Sequence, residues 1–188
     1  VGSLRKRHLY KALREATASA LLRGTSFRIV HFSIQATHVH ATVEADNRMA
    51  LARGMQGFQI SAARHINAEI SKRTGVKRLG QVFADRYHAR VLKTPREVRN
   101  AIAYVLNNWR HHNEDRAKFA RGWKLDPYSS GTQFGGWKEL EESAFLFPRR
   151  ETYDPLCVWL PRTWLLKTGW RRHGLIKTSE VPGGHHAE

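Results

Sequence analysis

The run Phe27-Arg28-Ile29-Val30-His31-Phe32-Ser33-Ile34, the break Gln35-Ala36-Thr37 and the run His38-Val39-His40-Ala41-Thr42-Val43-Glu44-Ala45 decide the fold. The first run is rich in β-branched and aromatic residues, which suit a pleated, half-buried surface. In the second, Val39, Ala41 and Val43 alternate with His38, His40, Thr42 and Glu44. Two strand-like runs around a short polar break predict a hairpin or two neighbouring antiparallel strands. Strand side chains alternate faces, so the two imidazoles project side by side while Val39 turns to the core.

On either side the apolar period changes to that of helices. Residues 5–23 carry Leu9, Leu13, Ala16 and Ala20 at helical spacing, with Gly24 as a stop. After the strands, Asp46 or Asn47 can cap a long helix whose stripe is Leu51, Met55, Phe58, Ala62, Ile66 and Ile70, ending at Gly75. Residues 81–92 alternate again and predict a strand with Arg86, His88 and Arg90 on one face. Thr94-Pro95-Arg96-Glu97 then combines an N-cap hydroxyl, a proline at the first helical position and a glutamate placed for a capping box. In the helix it opens, Val98, Ile102, Val105 and Trp109 form the core stripe. Tyr104 lies roughly 140° from the centre of that stripe, and Asn108 and His111 share its side. The phenol and the amide therefore look into a cleft beside the sheet.

The chain has 188 residues, with 32 Lys+Arg against 16 Asp+Glu, a net charge of +16 and a pI near 10.8. Such a field attracts polyanions, and nucleic acid is the expected partner. No basic amphipathic helix with a broad aromatic face argues for a membrane surface, and charges interrupt every apolar run before it could span a bilayer. Cys157 is the only cysteine, so neither an internal disulfide nor a cysteine-built zinc site is available, and a cytosolic setting is expected.

Two imidazoles, an amide oxygen and a phenol are the equipment for metal-assisted attack of a tyrosine on a phosphodiester. With 11 His in the chain, a His-x-His triplet arises by chance about 0.6 times, so the triplet alone says little. The conjunction with Tyr104 and Asn108 carries the reading. Neutral imidazoles and an amide leave coordination positions open for phosphate oxygens, which suits Mg²⁺ or Mn²⁺. No Walker-type phosphate loop and no Gly-x-Ser-x-Gly serine signature is present.

Gln35-Ala36-Thr37-His38-Val39-His40-Ala41-Thr42-Val43-Glu44, Gly80-Gln81-Val82-Phe83-Ala84-Asp85-Arg86-Tyr87-His88 and Tyr104-Val105-Leu106-Asn107-Asn108 together resemble the single-tyrosine HUH transposases, and among them the REP-associated tyrosine transposases. The resemblance covers roughly residues 5–112 in order and spacing. It implies an α+β fold: a ferredoxin-like antiparallel sheet with helices on one face, the histidines on a central strand and the tyrosine on a helix across the site. It implies Tyr104 as nucleophile, His38, His40 and Asn108 as ligands of a divalent metal, and a 5′-phosphotyrosine intermediate on single-stranded or hairpin DNA. A homodimer is left open. Two departures stand out. Only Val1 to Leu4 precede Arg5, so the family's first strand is expected to be absent or truncated, and Thr37 replaces the asparagine usual before the first histidine.

These features divide the chain into a catalytic domain, residues 1–112, and an extension, residues 113–188. In the extension, residues 113–136 read as loops around a weak helix, and residues 156–176 interleave Trp159, Trp164 and Trp170 with Arg162, Lys167, Arg171, Arg172 and His173. That segment either docks its tryptophans on the core or stacks bases beside phosphate contacts from Arg171 and Arg172. Pro161-Arg162-Thr163-Trp164-Leu165-Leu166 and Gly169-Trp170-Arg171-Arg172-His173-Gly174 resemble endings in the same transposase group. Residues 177–188 read as a disordered tail. The rival readings are a non-catalytic binding relative, which has no need of Tyr104 opposite a metal set, and an RNA-binding ferredoxin-like domain, which would need Phe27, Phe83 and Tyr87 as exposed stacking groups.

Overall fold

The computed structural model describes residues 2–83, 86–118, 120–141 and 154–181. β1 (Phe27–Ile34) and β2 (Val39–Ala45) pair antiparallel, from Phe27 opposite Ala45 to Ile34 opposite Val39. The register slips between Ile29 and His31. A bulge of this kind adds one residue and reverses the side-chain alternation. Phe27 and Ile29 before it, and Phe32 and Ile34 after it, therefore enter the same core, while Val30 enters a second one.

The first core lies between the sheet and two helices, α1 (Arg7–Leu22) and α2 (Arg48–Thr74). Asn47 caps α2 by accepting from the Ala50 N–H at 2.9 Å, and Gly75 closes it in the left-handed conformation (φ 70°). Phe58, Ala62 and Ile66 are buried, with Leu51, Met55 and Ile70 packed at the edge. Gly54 allows α2 to sit directly on the Phe27 ring, where a methyl group would collide. Phe27 is thus a core residue, and Phe83 packs at the edge of the same core, leaving neither as an open stacking platform.

The third long helix, α3 (Pro95–His111), begins with the full capping box of Thr94 and Glu97. It lies over the opposite face of the sheet. Its stripe of Val98, Ile102 and Val105 is matched there by Leu125, Trp137, Leu166, Trp170 and Ile176 of the extension, which builds the second core. The α+β class is as the sequence indicates, with helices on both faces because the extension supplies α3 with an apolar partner. Ahead of α1 the chain forms a turn, with Leu4 buried and its N–H donating to Ala36 O at 2.8 Å.

One expected strand does not form. The described parts of residues 81–92 are irregular. A strand needs a neighbour with free backbone groups, and the outer edge of β1 is already used. Ile34 N–H donates to Tyr128 O, and Trp159 N–H donates to Ile29 O, at 2.9 and 2.8 Å. The segment instead crosses between cores, with Val82 and Phe83 packed on the first and Leu92 on the second.

The extension is bound at several points. Arg5 grips Asp126 with two nitrogens, at 2.8 and 2.9 Å. Glu44, on the His40 face of β2, is 5 % exposed. Its carboxylate accepts from Arg162 N–H, from Thr163 N–H and hydroxyl, and from the buried Arg28. These bonds hold its pKa below the usual carboxylate range against the opposing effect of burial. They also seat the short helix α4 (Trp164–Lys167). Trp170 is buried, so the docking reading holds for it, whereas Trp164 is half exposed under the Arg172 guanidinium. The tail is not free at its start: Thr178 is buried, bonded to Glu139, and Glu180 pairs with Arg99 at 2.7 Å. Residues 182–188 lie outside the described residues.

His31 is buried, edge-on to Phe134 with 5.3 Å between ring centres, and burial pushes its pKa down to about 4. The folded state keeps this ring neutral while the unfolded chain takes up a proton below pH 6.5. Its contribution is complete above that pH and is lost as the pH falls toward 4. Between pH 7 and pH 5 it amounts to about 2 kcal/mol. Urea titrations at the two pH values should show His31→Gln removing about that much of the acid sensitivity; an unchanged difference would contradict it.

Candidate active site

His40 leaves β2 on the face that α3 covers, and His38 precedes it by two residues at the mouth of the β1–β2 turn. Their Nε2 atoms are 2.9 Å apart, and His38 Nδ1 lies 3.2 Å from the Thr37 hydroxyl. Tyr104 comes down from α3 edge-on to His40, with 4.9 Å between ring centres. His112, the C-cap of α3, meets the His38 ring at 5.4 Å. Tyr104, Asn108 and His112 follow one another at four-residue spacing and so form one ridge of the helix. Its two ends touch the two histidines, which places Asn108 between them.

Asn108 is fully buried, and neither its amide oxygen nor its nitrogen has a hydrogen-bond partner. Each such atom costs about 1–3 kcal/mol unless something satisfies it. His38, His40 and His112 bring one ligand nitrogen each to within 4.8 Å of one another. Burial, reinforced by the neighbouring imidazoles, lowers the pKa of His40 to about 4, and that of His38 is lowered for the same reasons. Both rings are therefore neutral at neutral pH, the form in which imidazole binds a metal. The donor set fits a divalent cation.

Of the residues singled out in the sequence, His38, His40 and Tyr104 meet one another, and Asn108 is buried on the ridge of α3 that carries Tyr104. His112 was not singled out, although the same four-residue step that relates Tyr104 to Asn108 reaches it. The basic residues expected on DNA are not part of this cluster. Arg86, His88, Arg171 and Arg172 are exposed, and Arg90 pairs with Glu97 at 2.8 Å. Arg171 and Arg172 lie over the Trp170 and Trp164 rings.

As a class, this is an α+β protein with a tyrosine-flanked histidine centre on a strongly basic scaffold. The family model described as transposase IS200-like matches residues 3–108, more than half the chain, from the turn before α1 to Asn108. The chain belongs to that family of transposases, for which the partner is DNA, the process is DNA transposition and metal dependence is typical. No curated protein and no solved structure matches it. No helix among the described residues is long and apolar enough to cross a membrane.

Proposed function

We propose that this transposase nicks and rejoins single-stranded DNA through a tyrosine of the HUH type, acting on hairpins of a mobile or repeat-associated element as the REP-associated enzymes do. The catalytic unit is residues 1–112, and residues 113–188 brace it from the α3 side. Tyr104 is the nucleophile. Its oxygen bonds to phosphorus as the bond to the 3′-oxygen breaks; the phenol gives up its proton and the departing oxygen takes one. The product is a 5′-phosphotyrosine and a free 3′-hydroxyl, and reversal with another 3′-hydroxyl joins strands without a nucleotide cofactor.

His38, His40 and Asn108 would hold Mg²⁺ or Mn²⁺, with His112 as a further imidazole within reach. Such a cation supplies Lewis-acid stabilisation to the phosphate oxygens and the leaving oxygen. The remaining work falls to the protein. α3 holds the phenol against His40, and the second core fixes α3, so the reacting groups keep one geometry.

The observation that carries this reading is Asn108, buried beside the histidines with both polar atoms unbonded. A binding relative without chemistry would gain by replacing that amide with an apolar side chain, so the non-catalytic alternative is not favoured. The test is incubation of labelled single-stranded hairpin DNA with the protein and Mg²⁺ or Mn²⁺. A denaturant-resistant protein–DNA adduct that disappears in chelator is expected. No adduct with any hairpin or metal, while DNA still binds, would leave only the binding role.

A further inference from the structure

The sequence reading placed the DNA contacts on residues 86–90 and 171–172. A further group of cations without ion-pair partners among the described residues lies elsewhere. A cleft of about 780 Å³ opens between the start of α1 and the end of α2, lined by Lys6, Arg7, His8, Arg73 and Arg78 with Ile70 at its base. Lys6, Arg7 and Arg73 are exposed, and none of them has an ion-pair partner among the described residues. The Arg78 guanidinium donates to the neutral Asn67 amide oxygen, and its backbone N–H donates to the Ser71 hydroxyl. Glu69 is the acidic group that acts on His8, and the cations Arg73 and Lys6 oppose it there.

The arrangement runs against the local helix. α1 has no side-chain cap and no acidic residue in its first turn, and Lys6, Arg7 and His8 stand at that end instead. Positive side chains at the positive end of a helix dipole destabilise it unless an anion is present. Lys6 and Arg7 at the start of α1, with Arg73 and Arg78 across the cleft, therefore favour a bound polyanion. Among its lining residues the cleft has no Phe, Tyr or Trp and is dominated by Lys and Arg, so it suits backbone phosphates better than bases.

Its position links it to the chemistry. Leu4 N–H donates to Ala36 O at 2.8 Å, and Arg5 donates to Ile34 O at 2.9 Å. The start of α1 is thereby tied to the turn from which His38 emerges.

We propose that the Lys6, Arg7, His8, Arg73 and Arg78 cleft is a second DNA site that holds the backbone of a flank beyond the reacting phosphate. The proposal rests on the family's DNA partner and not on the identity of the nucleophile. The test is equilibrium binding of fluorescent hairpin DNA with single-stranded flanks lengthened stepwise on either side, at 50–200 mM salt. In the wild type, affinity should rise as one flank lengthens. Arg7→Gln with Arg73→Gln should remove that increment and make the slope of log affinity against log salt shallower by roughly 1.4. Across that salt range this is about a sevenfold smaller loss of affinity. The loss should be independent of flank sequence. A wild-type slope and flank increment in the double variant would overturn the proposal. So would an equal effect from Arg53→Gln with Arg64→Gln, exposed on α2 outside the cleft, because the general field and not the cleft would then be responsible. Because binding is read without chemistry, failure here is distinct from absence of the adduct.

Discussion

Tyr104→Phe should abolish the denaturant-resistant adduct while leaving affinity for hairpin DNA within about tenfold. Only one hydroxyl is lost, and a single neutral hydrogen bond contributes about 0.5–1.5 kcal/mol. The ring that packs against His40 is retained, so the helix ridge and the histidine pair should stay in place. The chemical consequence is far larger, because the phenol against His40 is lost and the other hydroxyl touching the pair among the described residues, that of Thr37, meets His38 and not His40. Gel analysis under denaturing conditions, with fluorescence anisotropy on the same samples, reads both quantities. Wild-type adduct yield from the Phe variant would remove Tyr104 from the mechanism, and a parallel collapse of affinity would make it a binding residue.

What was legible in the sequence is what short-range physics controls. Asn47, Gly75, Thr94 and Glu97 terminate helices through bonds within a few residues of themselves, and all four act as their residue types suggest. The stripe of Val98, Ile102, Val105 and Trp109 is buried because its spacing leaves it no other option once α3 exists. The same short-range rule put Tyr104 and Asn108 on the face that meets His40. Where the reading failed, the deciding partner lies far away in the chain. Residues 81–92 alternate as a strand does, yet the free edge of β1 is occupied by Tyr128 and Trp159. Glu44 is buried by residues 162–163, which no local pattern connects to it. The bulge between Ile29 and His31 exchanges faces midway along β1, and no glycine in the strand marks it. His112 sits just past the last helical turn, and only its contact with His38 gives it meaning.

Removing both imidazoles should have the second large effect. In His38→Ala with His40→Ala, cleavage should be lost and Mn²⁺ affinity should fall by more than the roughly 10–100-fold typical of losing an outer-shell partner, since two direct ligands disappear. Asn108→Ala should weaken Mn²⁺ less, because an amide oxygen is a poorer ligand for this metal than imidazole. The same Asn108 variant should not lower stability as a buried polar deletion usually does. Its amide makes no hydrogen bond to lose, so the gain from removing two unsatisfied atoms offsets the small cavity left behind. Calorimetric Mn²⁺ titration together with urea unfolding separates these contributions. Wild-type Mn²⁺ affinity in the double histidine variant would place the cation elsewhere. A stability loss of several kcal/mol in Asn108→Ala, with unchanged metal affinity, would make the amide a packing element and leave the histidines and Tyr104 to act without it.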